Sequence, residues 1–94
     1  MDAPATGPIA LEMRHRLEKL RPTKLELIDD SETHRGHGGH NPAGESHFSL
    51  VIESPEFAGK SRIERQRMVH CALGELVGNR VHALTIRARA PGEP

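Results

Sequence analysis

The sequence predicts an α+β domain in which two helices cover one face of a three-stranded sheet, in the order helix–strand–strand–helix–strand. Three observations carry this expectation. Apolar residues recur every three or four positions in two stretches, they alternate with polar ones in three short runs, and proline or glycine punctuates the joins.

The elements follow in chain order. Met1–Pro8 is rich in Pro, Ala and Gly, contains Asp2, and reads as a frayed tail, neither a signal peptide nor an Arg-rich transit peptide. From Ile9 to Leu20 the residues Ile9, Met13, Leu17 and Leu20 mark one face of an amphipathic helix, which Pro22 ends. Leu25 and Leu27 alternate with Lys24 and Glu26, which predicts a strand to about Asp29. Asp30 to Gly44 is a long loop rich in glycine and histidine, and a loop of that length in a small domain is usually functional or disordered. Phe48, Leu50 and Ile52 alternate with His47, Ser49, Val51 and Glu53 in a second strand. After a turn at Pro55–Lys60, Ser61 and Glu64 form a capping box for a helix with Val69, Ala72, Leu73 and Leu76 inside and Gly78 just past its end. The last strand, Val81–Arg89, places His82, Leu84, Ile86 and Ala88 on one face. A single domain over residues 9–90 results, with a polar tail over residues 91–94.

Composition narrows the function. A chain of 94 residues builds one modest core, burying about 60–65% of its unfolded surface, and Phe48 and Phe57 are its only aromatics. Thirteen acidic and thirteen basic residues cancel, so no global field draws in nucleic acid or anionic membrane. No apolar run approaches the ~20 residues that span a bilayer. Cys71 is the sole cysteine, which excludes an intrachain disulfide and suits a reducing compartment, so the cytoplasm is expected. No Ser/His/Asp, HExxH or paired-carboxylate motif stands out, and the chain is not expected to be an enzyme. Ala58-Gly59-Lys60-Ser61 resembles the end of a phosphate-binding loop, but position 54, where that motif needs glycine, is serine.

Histidine is the compositional oddity, with seven copies. His34, His37 and His40 are spaced three apart among glycines whose backbone freedom lets several imidazoles point at one place, and neutral imidazole binds iron, zinc or copper. The plainer reading is a solvated polar loop. His82 closes such a site only if the start of the last strand lies near the loop joining the first two. Lys60, Arg62, Arg65 and Arg67 make a basic patch around the start of the second helix, either a solvated face or a contact for phosphate or an acidic protein. No aromatic platform accompanies it.

Taken together, several short segments resemble the BolA-like family over Ile9 to Pro91. They are Asp-Asp-Ser-x-x-His at 29–34, Glu-Ser-His-Phe at 45–48, Ser-Pro-Glu-Phe-Ala-Gly-Lys-Ser at 54–61, Arg-Gln-Arg-Met-Val at 65–69 and Val-His-Ala-Leu-Thr-Ile at 81–86. The resemblance implies an α-β-β-α-β domain similar to a type II KH fold. It implies as partner a monothiol glutaredoxin, in a heterodimer sharing a glutathione-ligated [2Fe–2S] cluster. It also implies two ligands from this chain: His82, and a loop residue that is His34 by its place in Ser-x-x-His, with His37 as the alternative. The chain departs from the family's Arg-His-Arg in having Gln66 at the centre, and in having His70 and Cys71 after the Met-Val pair.

The leading expectation is therefore an iron–sulfur cluster partner or trafficking adaptor, itself a monomer or weak homodimer when alone. Histidine in place of thiolate on one iron raises the potential and makes ligation pH-sensitive. The competing expectations are a DNA-binding regulator using the KH-like topology and the Lys60–Arg67 patch, and an autonomous metal-binding protein using the loop histidines.

Overall fold

The structure, a computed structural model, describes residues 7–30 and 47–93. Helix α1 (Pro8–Leu17) begins on Pro8, whose fixed φ suits the first helical turn, so Pro8 belongs to the helix and not to the expected tail. The expected Ile9–Leu20 helix is in fact two pieces, because Glu18–Leu20 tightens into a 3-10 turn. Arg21 then takes a left-handed conformation (φ 54°) and Pro22 turns the chain into β1 (Lys24–Asp29). The buried positions of this first segment are Ala10, Met13, Leu17 and Leu20, while Ile9 is only partly covered.

Strand β2 (His47–Glu53) lies at the centre of the sheet, antiparallel to β1 and parallel to β3 (Ala83–Arg89). Leu27 is opposite Leu50, and Leu50 is opposite Ile86, so the buried apolar positions of all three strands share one face. Leu27, Phe48, Leu50, Ile52 and Ile86 are buried there against Met13, Leu17, Val69 and Leu73 of the helices. The opposite face carries Glu26, Ser49, Thr85 and Arg87, with Ile28 and Val51 half-buried among them. The α+β architecture with its helices on one side is thus as expected.

Between β2 and β3 runs the crossover that a parallel pair requires. Pro55–Phe57 forms a 3-10 turn and drops Phe57 into the core. Helix α2 (Arg62–Leu73) starts with the capping box in full: Glu64 N–H donates to Ser61 Oγ at 3.1 Å, and Ser61 N–H donates to Glu64 Oε1 at 2.8 Å. Those bonds hold the Glu64 carboxyl below the ordinary carboxylate range.

The far end of α2 differs from the expectation. The helix stops at Leu73, with Gly74 at φ 61°, and Leu76 belongs to a separate helical turn, α3 (Leu76–Asn79). Gly74 supplies the stop by leaving the helical conformation, and Arg16 of α1 donates through Nη1 to the carbonyl of Leu73 at 2.8 Å, satisfying an acceptor that the helix end leaves open. A Cβ on Gly74 would meet that same nitrogen at 3.3 Å. Gly78, at φ 100°, closes the next tight loop by donating its N–H to the carbonyl of Val81 at 2.8 Å. Val81 is consequently tied up in an isolated bridge to Val77, and β3 begins at Ala83, two residues later than expected.

Candidate functional site

The histidine site depends on one topological fact. Asp29, the last residue of β1, pairs with Phe48, and His47, the first residue of β2, pairs with Ala83, the first of β3. Asp30 N–H donates to the carbonyl of His47 at 2.7 Å, closing the ladder at that end. Ser49 Oγ donates to Asp30 Oδ2 just inside it. The chain therefore leaves β1 and re-enters β2 at the same end of the sheet at which His82 precedes β3. The described residues that flank the segment joining the first two strands, Asp30 and His47, thus stand at the end of the sheet where the last strand starts; the segment between them lies outside the described residues.

His82 itself sits differently from the expectation. It occupies a bend immediately before β3, exposed to solvent, and does not join Leu84 and Ile86 facing the core. The cause is the Val77–Val81 bridge, which takes the preceding residue out of strand pairing and buries Val81 instead. An exposed imidazole with no hydrogen-bond or ion-pair partner among the described residues keeps its nitrogens available to an outside ligand. His34 and His37, with His40, lie outside the described residues. Among the described residues no three His, Cys, Asp or Glu side chains are grouped so as to hold a metal ion. His47, part of the quoted Glu-Ser-His-Phe segment but given no role from sequence, stands half-buried at the same end.

The basic patch is divided by the structure. Lys60, Arg62 and Arg67 are exposed. Arg65 is not a free cation: its side chain is only 13% exposed and grips the Glu93 carboxylate with both terminal nitrogens, at 2.6 and 2.8 Å. Its Nε donates to the carbonyl of Lys60 at 2.9 Å and its Nη1 also donates to that of Ala88 at 3.2 Å. Glu93 additionally accepts from Ala90 N–H at 3.0 Å. The segment read as a polar tail is therefore pinned back on α2 as far as Glu93. Sequence spacing gave no sign of this tie, because its two ends are 28 residues apart. Cys71 is exposed on α2. No helix among the described residues is long and apolar enough to cross a membrane.

The Arg65 guanidinium, assisted by the Ala90 amide, lowers the Glu93 carboxyl from an ordinary 4.5 to about 2. A depressed carboxylate pKa stabilises the folded chain above 4.5, and the contribution disappears as pH falls through about 2. An NMR titration of the Glu93 side chain is expected to give a midpoint near 2 in the native chain and a clearly higher one in Arg65→Gln, where only the Ala90 amide still lowers it. A native midpoint near 4.5 would show that the fork is open in solution.

Comparison with known proteins supplies the wider setting. The profile of the family described as "BolA-like protein" matches residues 17–93. BolA-like protein 1 of Homo sapiens is 42% identical over 92 residues, covering 95% of this chain and 63% of the human protein. SufE-like protein 1, chloroplastic/mitochondrial, of Arabidopsis thaliana is 39% identical over 94 residues, covering 95% of this chain and 25% of that protein. The solved BolA domain of SufE1 from Arabidopsis thaliana superposes with a TM-score of 0.81 at 40% identity, covering 96% of this chain and all of that one. The chain thus spans less than two thirds of the length of these full-length relatives.

Proposed function

The chain belongs to the BolA-like family, and from that membership we propose that it is a non-enzymatic partner of a monothiol glutaredoxin that contributes two imidazoles to a shared [2Fe–2S] cluster. The observation that supports the reading most is the exposed imidazole of His82 at the sheet end where the segment containing His34 and His37 departs. With one ligand at the base of β3 and another from that segment, this chain supplies half of a four-donor set. The glutaredoxin cysteine and glutathione thiolate supply the rest. The cluster, when bound, offers one-electron chemistry at a potential raised by imidazole in place of thiolate.

The chain's own part is to present neutral imidazole and to keep it in place. His82 is one residue from the Ala83–His47 register pair, so its backbone is anchored by the sheet while its side chain faces solvent. Protonation of either imidazole opposes ligation, since only the neutral ring has a lone pair to give. The second reading from sequence, DNA binding through the basic patch, is weakened by the commitment of Arg65 to Glu93.

The test is co-purification with a monothiol glutaredoxin and glutathione, followed by visible absorption and circular dichroism. His82→Ala is expected to alter both spectra and to weaken cluster retention by at least about 10-fold, since losing a mere outer partner of a ligand already costs about 10–100-fold. Unchanged spectra in His82→Ala would end the role of His82. Replacing His34 and His37 singly then identifies the loop ligand.

A further inference from the structure

The cleft between α2 and the outer edge of β3 has no part in the histidine chemistry. It encloses about 300 Å³ and is lined by Arg62, Arg65, Gln66, Ile86, Arg87 and Ala88. Two of the edge carbonyls on its floor are already occupied. Arg65 Nη1 donates to that of Ala88 at 3.2 Å, and Gln66 Nε2 reaches that of Ile86 at 3.4 Å. An incoming strand cannot use them without displacing α2 side chains, so recognition at this edge falls to side chains rather than to backbone pairing.

The side chains are strongly biased in charge. Three guanidiniums line the cleft, and only Arg65 is matched, by Glu93. Arg62 and Arg87 are exposed and form no ion pair among the described residues. Arg62 is the first residue of α2, where the helix dipole adds further positive potential. The Arg65–Glu93 fork shows that this wall of the cleft already seats a carboxylate. Ile63, beside Arg62, is 64% exposed and offers an apolar neighbour.

We propose that this cleft docks an acidic segment of a partner protein, with Arg62 and Arg87 each taking a carboxylate and Ile63, in the adjoining groove that shares Arg62 and Gln66, covered by a flanking apolar side chain. A peptide suits these features better than a nucleic acid. Both aromatics of the chain, Phe48 and Phe57, are buried, so bases find no ring to stack on, and the net charge of zero gives no long-range attraction for a polyanion. The docking site is independent of His82 and of any cluster.

The test uses the full chain labelled with ¹⁵N and titrated with a synthetic peptide of alternating glutamate and leucine. The same peptide with glutamine for glutamate, and a single-stranded DNA of equal charge, serve as comparisons. Amide shifts are expected at residues 62–66 and 86–88 with the acidic peptide and not with the glutamine peptide. Arg62→Gln/Arg87→Gln is expected to weaken binding about 2- to 30-fold, as the loss of two exposed ion pairs implies. Both positions are exposed, so the variant spectrum should otherwise overlay the native one. Shifts centred elsewhere, undiminished affinity in the double variant, or tighter binding of the oligonucleotide to this cleft would each overturn the proposal.

Discussion

Phe48→Ala is expected to destabilise the domain by about 3–5 kcal/mol, the cost of truncating a buried aromatic and leaving its cavity. Phe48 is 2% exposed, and in the sheet it stands between Asp29 of β1 and Leu84 of β3. It is one of only two aromatics in the chain, so no neighbouring ring expands to refill the space. A domain of this size has only about 5–15 kcal/mol of stability in total, so the variant loses a large share of it. The effect has a functional side, because Phe48 anchors the sheet end that carries His47 and precedes β3 at His82. Urea denaturation measures it: the midpoint falls while the slope stays constant. Phe48→Leu, which keeps most of the volume, should cost distinctly less. A shift of under about 1 kcal/mol for Phe48→Ala would mean that the helices collapse onto the cavity, contrary to close packing at this site.

Ser54→Ala is expected to cost about 1–3 kcal/mol, although it removes a single oxygen. Ser54 is fully buried. Its hydroxyl donates to the carbonyl of Leu20 and accepts from Glu56 N–H at 3.1 Å, joining the end of the first helical segment to the turn after β2. Without it, a buried carbonyl and an amide lose their partner where water has little access, and that desolvation outweighs the loss of one ordinary hydrogen bond. Denaturation of the variant should show a lower midpoint with native-like circular dichroism at rest. An unchanged midpoint would show that solvent reaches Leu20 in the alanine variant.

Ser54 also illustrates where sequence reading stops. Position 54 mattered in the sequence only because a phosphate-binding loop needs glycine there, and serine excluded one. Its structural role rests on a bond spanning 34 residues, which no local pattern encodes. The same holds for Arg65, whose place in a basic run suggested a surface cation. Its partner Glu93 lies across the crossover and on the far side of β3, so only the fold brings the two together. Gly78 was a reasonable helix terminator, since it does adopt positive φ, but Gly74, also at positive φ and beside the Leu73 carbonyl that Arg16 caps, ends α2 earlier.

Other features were legible from sequence because their causes are local. The period-two alternation of Phe48, Leu50 and Ile52 reflects a strand with one buried face, and the Ser61–Glu64 spacing is the length of one capping turn. By itself the sequence determined the class of the fold, the order of its elements and the histidines worth testing, since these depend on periodicity and residue chemistry. Tertiary structure decided the rest. Parallel pairing of β2 with β3 brings His82 to the end of the sheet where the histidine-rich segment departs, and the Val77–Val81 bridge turns that residue outward. Both depend on which distant backbones share hydrogen bonds, and that is settled only when the core closes.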